Sequence, residues 1–291
     1  MDAWPVFPLP TLGGKQFWTD HRWFYGWRLQ QNVVTGHWRL IDLQNIRHAW
    51  GSRAACQQVL DEEIAKSGLR SIERVVVLLH GLFRTSQSMN SMGDYLREQG
   101  CGEPVLFEYA SSRDSIADHA TALREVIEGL PGKPTLFLVG HSMGNIVARH
   151  ALGDWLKSDP QQVLSRLKRF VMLGPPNQGA AIARHLGKLK LFELIAGKGG
   201  MELGPQWQQL ESHLAIPPFP FAIIAGNLES PPISNPLVGG DSDFIVSVDE
   251  AKLPGATELL TVPLVHSFLM TDPKVQAATA RFLRGERMAE N

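Results

Sequence analysis

The stretch from Pro134 to Arg149 constrains the fold of this chain more than any other. An apolar run at 136–139 ends in Gly-His-Ser-Met-Gly around Ser142, and an amphipathic segment follows. This order predicts a buried strand, a tight turn and a helix. A serine on such a turn is held in a strained backbone conformation, with its hydroxyl exposed above the sheet.

Two glycines, Gly140 and Gly144, flank this serine. A Cβ atom at either position would collide where the strand and the helix come close, so both positions require glycine. The helix that begins beneath Ser142 presents free N–H groups and the positive end of its dipole, which favour negative charge beside the hydroxyl. Ser142 is therefore the candidate nucleophile.

Apolar runs and helical patterns alternate around this segment, with short connections. The predicted strands cover 74–80, 103–109, 168–174, 221–226 and 257–262, and the main helices cover 86–99, 115–130 and 273–284. The run at 74–80 is continuously apolar between its end residues, as expected for a strand that is buried on both faces of a parallel sheet. The alternation predicts an α/β fold with a doubly wound, mostly parallel sheet.

Composition fits a single α/β unit with additions, because the chain has 291 residues and 44% of them are hydrophobic. The net charge is −1 and the basic residues are scattered, which argues against a nucleic-acid partner. Cys56 and Cys101 form neither a disulfide framework nor a metal motif; two reduced thiols and a single bridge both stay open.

The beginning of the sequence has neither the basic start nor the apolar core of a secretory signal, and no run approaches the length of a membrane span. These features predict a cytoplasmic protein. A chain from which a signal had been removed would give the same pattern.

Residues 1–70 form a distinct, tryptophan-rich region. It contains six of the eight tryptophans: Trp4, Trp18, Trp23, Trp27, Trp38 and Trp50. Partial alternation at 22–31 and a turn at 35–36 predict a β-hairpin or small meander, and 54–64 predicts a helix. The aromatic side chains either pack this extension onto the rest of the protein or form a surface for lipid or a substrate tail. Contact with a membrane surface has no other support in the sequence.

The strand, serine turn and helix resemble those of the α/β-hydrolase superfamily, in particular bacterial serine lipases and esterases similar to inositol deacylases of GPI anchors. The resemblance covers about residues 72–284. It implies an α/β-hydrolase domain at 71–291, with helices on both faces of the sheet and an N-terminal β extension. It also implies a helical lid insertion at about 184–218, which either moves or is a fixed excursion of the chain.

The resemblance also implies an oxyanion hole. His80, Gly81 and Leu82 follow an early strand, and the donors would be the backbone N–H groups of Leu82 and Met143. Two donors are needed because the substrate's carbonyl oxygen becomes an alkoxide in the tetrahedral intermediate. His80, Gly81 and His141 would support the site together with the two glycines of the turn. An ordinary strand-to-helix turn is the alternative for residues 80–82.

The same resemblance places an acid and a base after late strands. Asp243 matches a pattern in which Asp-Gly-x-Val precedes Ser or Pro, except that Phe244 replaces the glycine. Asp241 is the alternative acid, and Asp249 is expected to cap a short helix. His266, on the loop after the last strand, is the candidate base. Phe83, Asn177 and Gln178 are expected near the substrate, although hydrogen bonding within the loop explains the last two equally well.

The predicted function is hydrolysis of a carboxylic ester through an acyl-enzyme, as in a carboxylesterase or lipase acting on a small-molecule or lipid ester. This mechanism requires no metal and no organic cofactor. A phospholipase, thioesterase or acyltransferase is the second reading. A non-catalytic binding protein on the same fold is the alternative from another class. The sequence does not predict an oligomeric state.

Overall fold

The computed structural model describes residues 9–10, 15–68, 71–180, 198, 200–228 and 241–289. Within these residues the chain forms a five-stranded sheet near its beginning and a six-stranded sheet in the remainder. We call them the antiparallel sheet and the parallel sheet, after the direction of their strands.

The antiparallel sheet consists of β1 (Leu9–Pro10), β2 (Trp18–Phe24), β3 (Trp27–Asn32), β4 (Trp38–Ile41) and β5 (Ile46–Gly51). Its strand order is β1-β5-β4-β3-β2, so the predicted meander is present and is larger than a hairpin. Helix α1 (Arg53–Ser67) packs on it and begins at an Ser52 cap whose side chain accepts the Ala55 N–H. Leu29, Leu40 and Leu60 form a small core between sheet and helix.

The parallel sheet consists of β6 (Arg74–Leu79), β7 (Glu103–Phe107), β8 (Thr135–His141), β9 (Leu167–Leu173), β10 (Phe221–Gly226) and β11 (Glu258–Val262). Its order is β11-β10-β9-β8-β6-β7, and every neighbouring pair is parallel. The parallel sheet predicted from the apolar runs is therefore confirmed.

Helices cover both faces of the parallel sheet. They are α2 (Asn90–Glu98), α3 (Ile116–Glu128), α4 (Met143–Lys157), α5 (Val163–Arg166), α6 (Trp207–Glu211), α7 (Val248–Ala251) and α8 (Pro273–Arg284). Alternate residues of β6 divide between the two faces: Val75 and Val77 join the core with α3 and α4, whereas Val76 and Leu78 join the core with α2 and α8. This division explains why β6 is apolar at every position from Val75 to Leu79.

Local details differ from the sequence predictions at two helix starts. The segment expected to be helical from residue 86 opens with a 3₁₀ turn at Ser86–Met89, and α2 begins only at Asn90. The expectation that Asp249 caps a helix was wrong. Ser247 is the cap of α7, because its side chain accepts the Glu250 N–H while the Glu250 carboxylate accepts the Ser247 N–H.

The predicted lid lies partly outside the described residues, which omit 181–197 and 199. The later part of the insertion contains α6, whose Trp207 and Leu210 are buried in the main core. Movement of a lid therefore stays a prediction, as does the division of the chain at residue 70.

The two cysteines are free, buried thiols in different clusters of the core. Burial raises the pKa of the Cys56 thiol to about 11. Within the described residues, no helix combines the length and the apolar composition needed to cross a membrane.

One buried histidine makes a pH-dependent contribution to stability. His119, on α3, lies beside the Tyr109 ring with a centroid separation of 4.7 Å, and neither ring nitrogen makes a hydrogen bond of ordinary geometry. Burial and the nearby His80 lower the pKa of His119 to about 3, against a smaller opposing effect of Asp118. The unfolded chain, with an ordinary histidine pKa, therefore binds the proton first when the pH falls.

We predict that His119→Leu makes folding less sensitive to acid. Below pH ~6.5 the wild type loses about 1.4 kcal/mol per pH unit relative to this variant, or about 2 kcal/mol by pH ~5. Asp20 opposes this trend in both proteins, because burial raises its pKa to about 6, so the difference between them isolates His119. Urea unfolding between pH ~7.5 and ~5 measures it, with the exposed His213→Leu as control. Parallel stability curves would contradict the prediction.

Candidate active site

Ser142 occupies a strained turn between β8 and α4. Its φ of 54° and ψ of −124° lie where side chains other than glycine are rare. Hydrogen bonds on both sides hold it there: its N–H donates to the Leu173 carbonyl at 2.9 Å, and its carbonyl accepts the Asn145 N–H at 3.1 Å. The Asn145 side chain adds a bond to the same Ser142 carbonyl at 3.0 Å. The turn is therefore fixed by its neighbours.

Close contacts explain the two glycines of this turn. A Cβ atom on Gly140 would lie 2.3 Å from Asn145 Oδ1, and one on Gly144 would lie 2.6 Å from the His80 carbonyl oxygen. Both distances are far below van der Waals contact. The steric requirement inferred from the sequence thus holds at both positions.

Asp243 and His266 form a buried pair. His266 Nδ1 donates to Asp243 Oδ2 at 2.6 Å. The other carboxylate oxygen, Oδ1, accepts the N–H groups of Ile245 at 3.0 Å and Val246 at 2.8 Å. The His266 N–H donates to the Asp243 carbonyl at 3.0 Å, so backbone as well as side chain locks the two residues together.

Phe244, the residue that departs from the expected pattern, has a φ of 78°. This left-handed conformation is the one that a glycine at this position would adopt without strain. The bonds from Ile245 and Val246 to the Asp243 carboxylate hold the turn in this shape. Phe244 therefore takes the conformation that the expected glycine would favour.

His266 and Ser142 face one cavity of about 600 Å³. Within the part of the chain that the structure describes, His266 Nε2 is buried and makes no hydrogen bond. A direct bond from Ser142 Oγ to this nitrogen is not formed, and such bonds are often long before substrate binds. With Nδ1 donating to Asp243, Nε2 is the nitrogen that can accept a proton.

The rest of the cavity wall is mostly apolar. It includes Leu82, Phe83, Pro176, Ala180, Leu203, Ile245 and Val246. Phe83 is 44% exposed, which places its ring at the cavity surface. Arg84 also lines the cavity, and no carboxylate among the described residues pairs with it. Sequence reasoning missed Arg84, although it directly follows the residues 80–83 that were singled out.

The loop expected to form half of an oxyanion hole lies against the serine turn. A Cβ atom on Gly81 would lie 3.0 Å from Ser142 Cβ and 3.0 Å from His141 Nδ1. The Gly81 carbonyl accepts the Arg84 N–H at 3.2 Å, which closes a tight turn around Leu82. Met143 is the first residue of α4. Leu82 follows the carboxyl end of β6, and Met143 follows the carboxyl end of β8. The two proposed donors therefore lie at the same edge of the parallel sheet as Ser142.

Two further histidines support this region. His141 Nε2 donates to the His266 carbonyl at 3.0 Å. Burial, followed by the nearby His266, lowers the pKa of His141 well below its usual value, so this ring is neutral and holds the His266 backbone. His80 stacks on Tyr109 at a centroid distance of 4.1 Å, and its Nδ1 bonds to the Gly81 carbonyl at 2.9 Å.

Asn177 and Gln178 make hydrogen bonds within the surrounding structure. Asn177 is buried; its Nδ2 donates to the Ala251 carbonyl at 2.8 Å, and its Oδ1 accepts from Arg149 at 3.1 Å. Gln178 Nε2 donates to the Asp249 carbonyl at 3.0 Å. Neither residue lines the cavity, which fits loop hydrogen bonding, the alternative that the sequence left open.

Asp241, the alternative acid, is exposed. Its carboxylate accepts a long hydrogen bond from Asn227 at 3.4 Å, and its carbonyl accepts the Val248 N–H. No three His, Cys, Asp or Glu side chains converge as metal ligands anywhere in the described ranges.

Comparison with known proteins concerns the fold and the family of the chain. Residues 76–287 match the model of the Alpha/beta hydrolase family. No curated protein sequence matches the chain.

Solved structures share the fold. The mature lipase BlEst2 from Bacillus licheniformis is similar with a TM-score of 0.51 and 19% identity, over 68% of this chain and 86% of that protein. Phospholipase PlaB from Legionella pneumophila gives 0.51 and 16%, over 74% of this chain and 60% of that one. The lin2722 gene product of Listeria innocua gives 0.50 and 17%, over 72% and 94%. At these identities the similarity concerns the fold alone.

The contacts at the serine turn predict the sign of a stability change. Helix propensity alone would make Gly144→Ala stabilising by up to about 1 kcal/mol. We expect the reverse, a loss of about 2–3 kcal/mol, because the new methyl group meets the backbone oxygens of Leu79 and His80. Urea unfolding measures the change. Ala148→Gly, buried on the same helix, is the matched control and should cost about 1 kcal/mol of helix propensity plus the loss of a buried methyl group; a stabilising Gly144→Ala would refute the steric account.

Proposed function

Because the chain belongs to the alpha/beta hydrolase family, we propose that it is a serine hydrolase that cleaves carboxylic esters, as a carboxylesterase or lipase does. The observation that carries this proposal is the orientation of His266. One ring nitrogen is bound to Asp243 at 2.6 Å, the other is buried without a hydrogen-bond partner among the described residues, and His266 lines the same cavity as Ser142. A histidine held in this way is suited to act as a general base.

In the proposed mechanism, Ser142 Oγ attacks the ester carbonyl carbon while His266 Nε2 takes the hydroxyl proton. Asp243 keeps the proton on Nδ1 and stabilises the imidazolium that forms. The N–H groups of Leu82 and Met143 stabilise the alkoxide. The C–O bond to the alcohol then breaks, and His266 returns the proton to the departing oxygen. Water, deprotonated by His266, attacks the acyl-enzyme and releases the acid and free Ser142.

The apolar cavity wall supports an acyl chain as the part of the substrate that is recognised. Each methylene group removed from water contributes about 0.8 kcal/mol. A cavity of about 600 Å³ lies in the usual range for small-molecule sites. The preferred substrates are therefore esters of apolar acids.

We predict that Ser142→Ala and Asp243→Asn abolish turnover of p-nitrophenyl esters, tested with acyl chains from C2 to C16. Ser142→Ala should lower kcat by about 10⁶-fold and Asp243→Asn by about 10⁴-fold, because an amide cannot hold the required His266 tautomer. Asp241→Asn is the matched control and should keep wild-type kcat.

The outcome that overturns the proposal is equally definite. If the wild type is inert on every chain length and a fluorophosphonate probe fails to label Ser142, the serine mechanism is wrong. The chain would then be a binding protein on a hydrolase fold. Equal losses in Asp241→Asn and Asp243→Asn would reject Asp243 as the acid.

Arg84 favours a second candidate function, the hydrolysis of anionic lipid esters by a phospholipase-type reaction. Arg84 lines the cavity, has no carboxylate partner in the described residues, and lies two positions after the proposed oxyanion donor Leu82. A guanidinium binds a phosphate or carboxylate group through two parallel hydrogen bonds. An ester with a phosphate on its alcohol side would satisfy this cation.

We predict that Arg84→Gln lowers kcat/KM about tenfold for dioctanoyl phosphatidic acid and less than twofold for dioctanoylglycerol. A hydrogen bond to a charged group contributes about 1.5–3 kcal/mol, which exceeds the ~1.4 kcal/mol of a tenfold change. The control is Arg113→Gln, whose side chain packs over Phe17 outside the cavity. Equal losses on both lipids would rule out headgroup recognition and leave the carboxylesterase proposal in place.

A further inference from the structure

A chain of buried polar groups joins the antiparallel sheet to the loop at residues 80–86, which we call the oxyanion loop. We propose that Asp20 and Glu108 are positioning residues that fix this loop, so that the N-terminal region serves catalysis directly. The inference rests on the proposed serine mechanism, in which Leu82 in this loop donates to the oxyanion.

The first link is a set of hydrogen bonds between β2 and the residues after β7. The Asp20 N–H donates to the Glu108 carbonyl at 2.9 Å, and Asp20 Oδ2 accepts the Glu108 N–H at 2.8 Å. Thr19 Oγ1 accepts the Ala110 N–H at 3.2 Å. Since β7 is an edge strand of the parallel sheet, these bonds satisfy backbone groups that an edge leaves unpaired.

The second link fixes Asp20 within the antiparallel sheet. Asp20 is only 1% exposed, and its Oδ1 accepts from Gln30 Nε2 at 2.7 Å. Gln30 Oε1 in turn accepts from Arg39 Nε at 2.8 Å, and the Arg39 guanidinium lies 3.8 Å from the centre of the Trp18 ring. Residues of three strands, β2, β3 and β4, therefore fix the Asp20 carboxylate, which accepts the Glu108 N–H.

The third link is the Glu108 side chain, which touches both ends of the oxyanion loop. Its Oε2 accepts from Ser86 at 3.2 Å for the N–H and at 2.7 Å for Oγ. Its Oε1 lies 3.6 Å from His80 Nε2. The neighbouring Tyr109 hydroxyl donates to the His80 carbonyl. One buried carboxylate thus binds the end of the loop at Ser86 and lies close to its beginning at His80.

The segment between these anchors needs such support. Phe83 has a φ of 60°, a strained value for a phenylalanine, and the Gly81 carbonyl closes a single turn with the Arg84 N–H. An oxyanion donor must lie about 2.7–3.1 Å from the oxygen that it stabilises. A displacement of about 1 Å can cost about 100-fold in rate. The position of Leu82 therefore has a direct effect on the rate of the proposed reaction.

Burial argues for a role beyond packing. Two carboxylates, each 1% exposed, are removed from water in this chain of polar groups, and apolar side chains of similar size usually serve stability as well or better. What the carboxylates add is direction, because the hydrogen bonds of Glu108 fix where Ser86 lies and its other oxygen lies 3.6 Å from His80 Nε2. The sequence analysis did not single out Glu108, a charged residue that directly follows the apolar end of β7.

The test compares Glu108→Gln and Asp20→Asn with Asp42→Asn in the full chain. Asp42 also lies in the N-terminal region, where its carboxylate binds His48 and the Ile46 N–H of the same sheet. Active sites are counted with a fluorophosphonate, and kcat and KM for a p-nitrophenyl ester are expressed per labelled serine. Affinity is also measured for an alkyl trifluoromethyl ketone, whose carbonyl adds the serine oxygen and becomes an oxyanion.

We expect Glu108→Gln to lower kcat about 10- to 100-fold with KM changed less than about threefold. Affinity for the trifluoromethyl ketone should fall by the same factor as kcat/KM, because both report the oxyanion donors. Asp20→Asn should shift both quantities in the same direction by a smaller factor, since one of its two carboxylate bonds is lost. Asp42→Asn should match the wild type.

A different pattern would overturn the inference. If Glu108→Gln lowers the melting temperature or the labelled fraction but each labelled site keeps wild-type kcat, the network is structural only. If Glu108→Gln does not fold, Ser86→Ala decides, since it removes only the Oγ bond to Glu108. A parallel fall in kcat and ketone affinity supports positioning, and unchanged values reject it. Failure of the proposed function would look different, because the wild type itself would neither turn over ester nor take the label.

Discussion

The close approach of β8 and α4 at Ser142 is the constraint on which the rest of the site depends. Glycines at 140 and 144 let the strand, the helix and the His80 carbonyl meet within distances that no Cβ allows. That approach forces Ser142 to a φ of 54° and presents its hydroxyl at the carboxyl edge of the parallel sheet. The strain is sustained because backbone bonds from Leu173 and Asn145 hold the turn on both sides.

Asp243 and His266 are positioned by buried tertiary hydrogen bonds rather than by their local sequence. Asp243 and His266 come from different loops, yet each is bound to the other through backbone and side chain. His141, a neighbour of Ser142 in the chain, holds the His266 carbonyl. The serine turn and the Asp–His pair are thus mechanically linked through a neutral imidazole, which keeps the three proposed catalytic residues in one frame.

The N-terminal region is connected to the candidate site through the loop that begins at His80. Its sheet has a core of its own, but Asp20, the most deeply buried charge among the described residues of this region, binds the edge of the parallel sheet rather than that core. Through Glu108 the contact reaches the loop that begins at His80. A region that the family resemblance leaves unmatched is therefore structurally continuous with the candidate active site.

The sequence by itself determined the parallel sheet, the serine turn and the need for Gly140 and Gly144, because continuous apolar runs and glycine sterics are local properties. Residue types and chain order also selected Asp243 and His266 as candidates. Tertiary structure alone decided that Asn177 turns to Arg149 and Ala251, that Arg84 lines the cavity, and that Glu108 meets Ser86 and His80. Some of these contacts join residues far apart in the chain, and others depend on where a flexible side chain points. The local sequence pattern predicts neither kind of contact. Phe244 shows the same limit in reverse: its left-handed conformation is imposed by bonds to the Asp243 carboxylate, against its own preference.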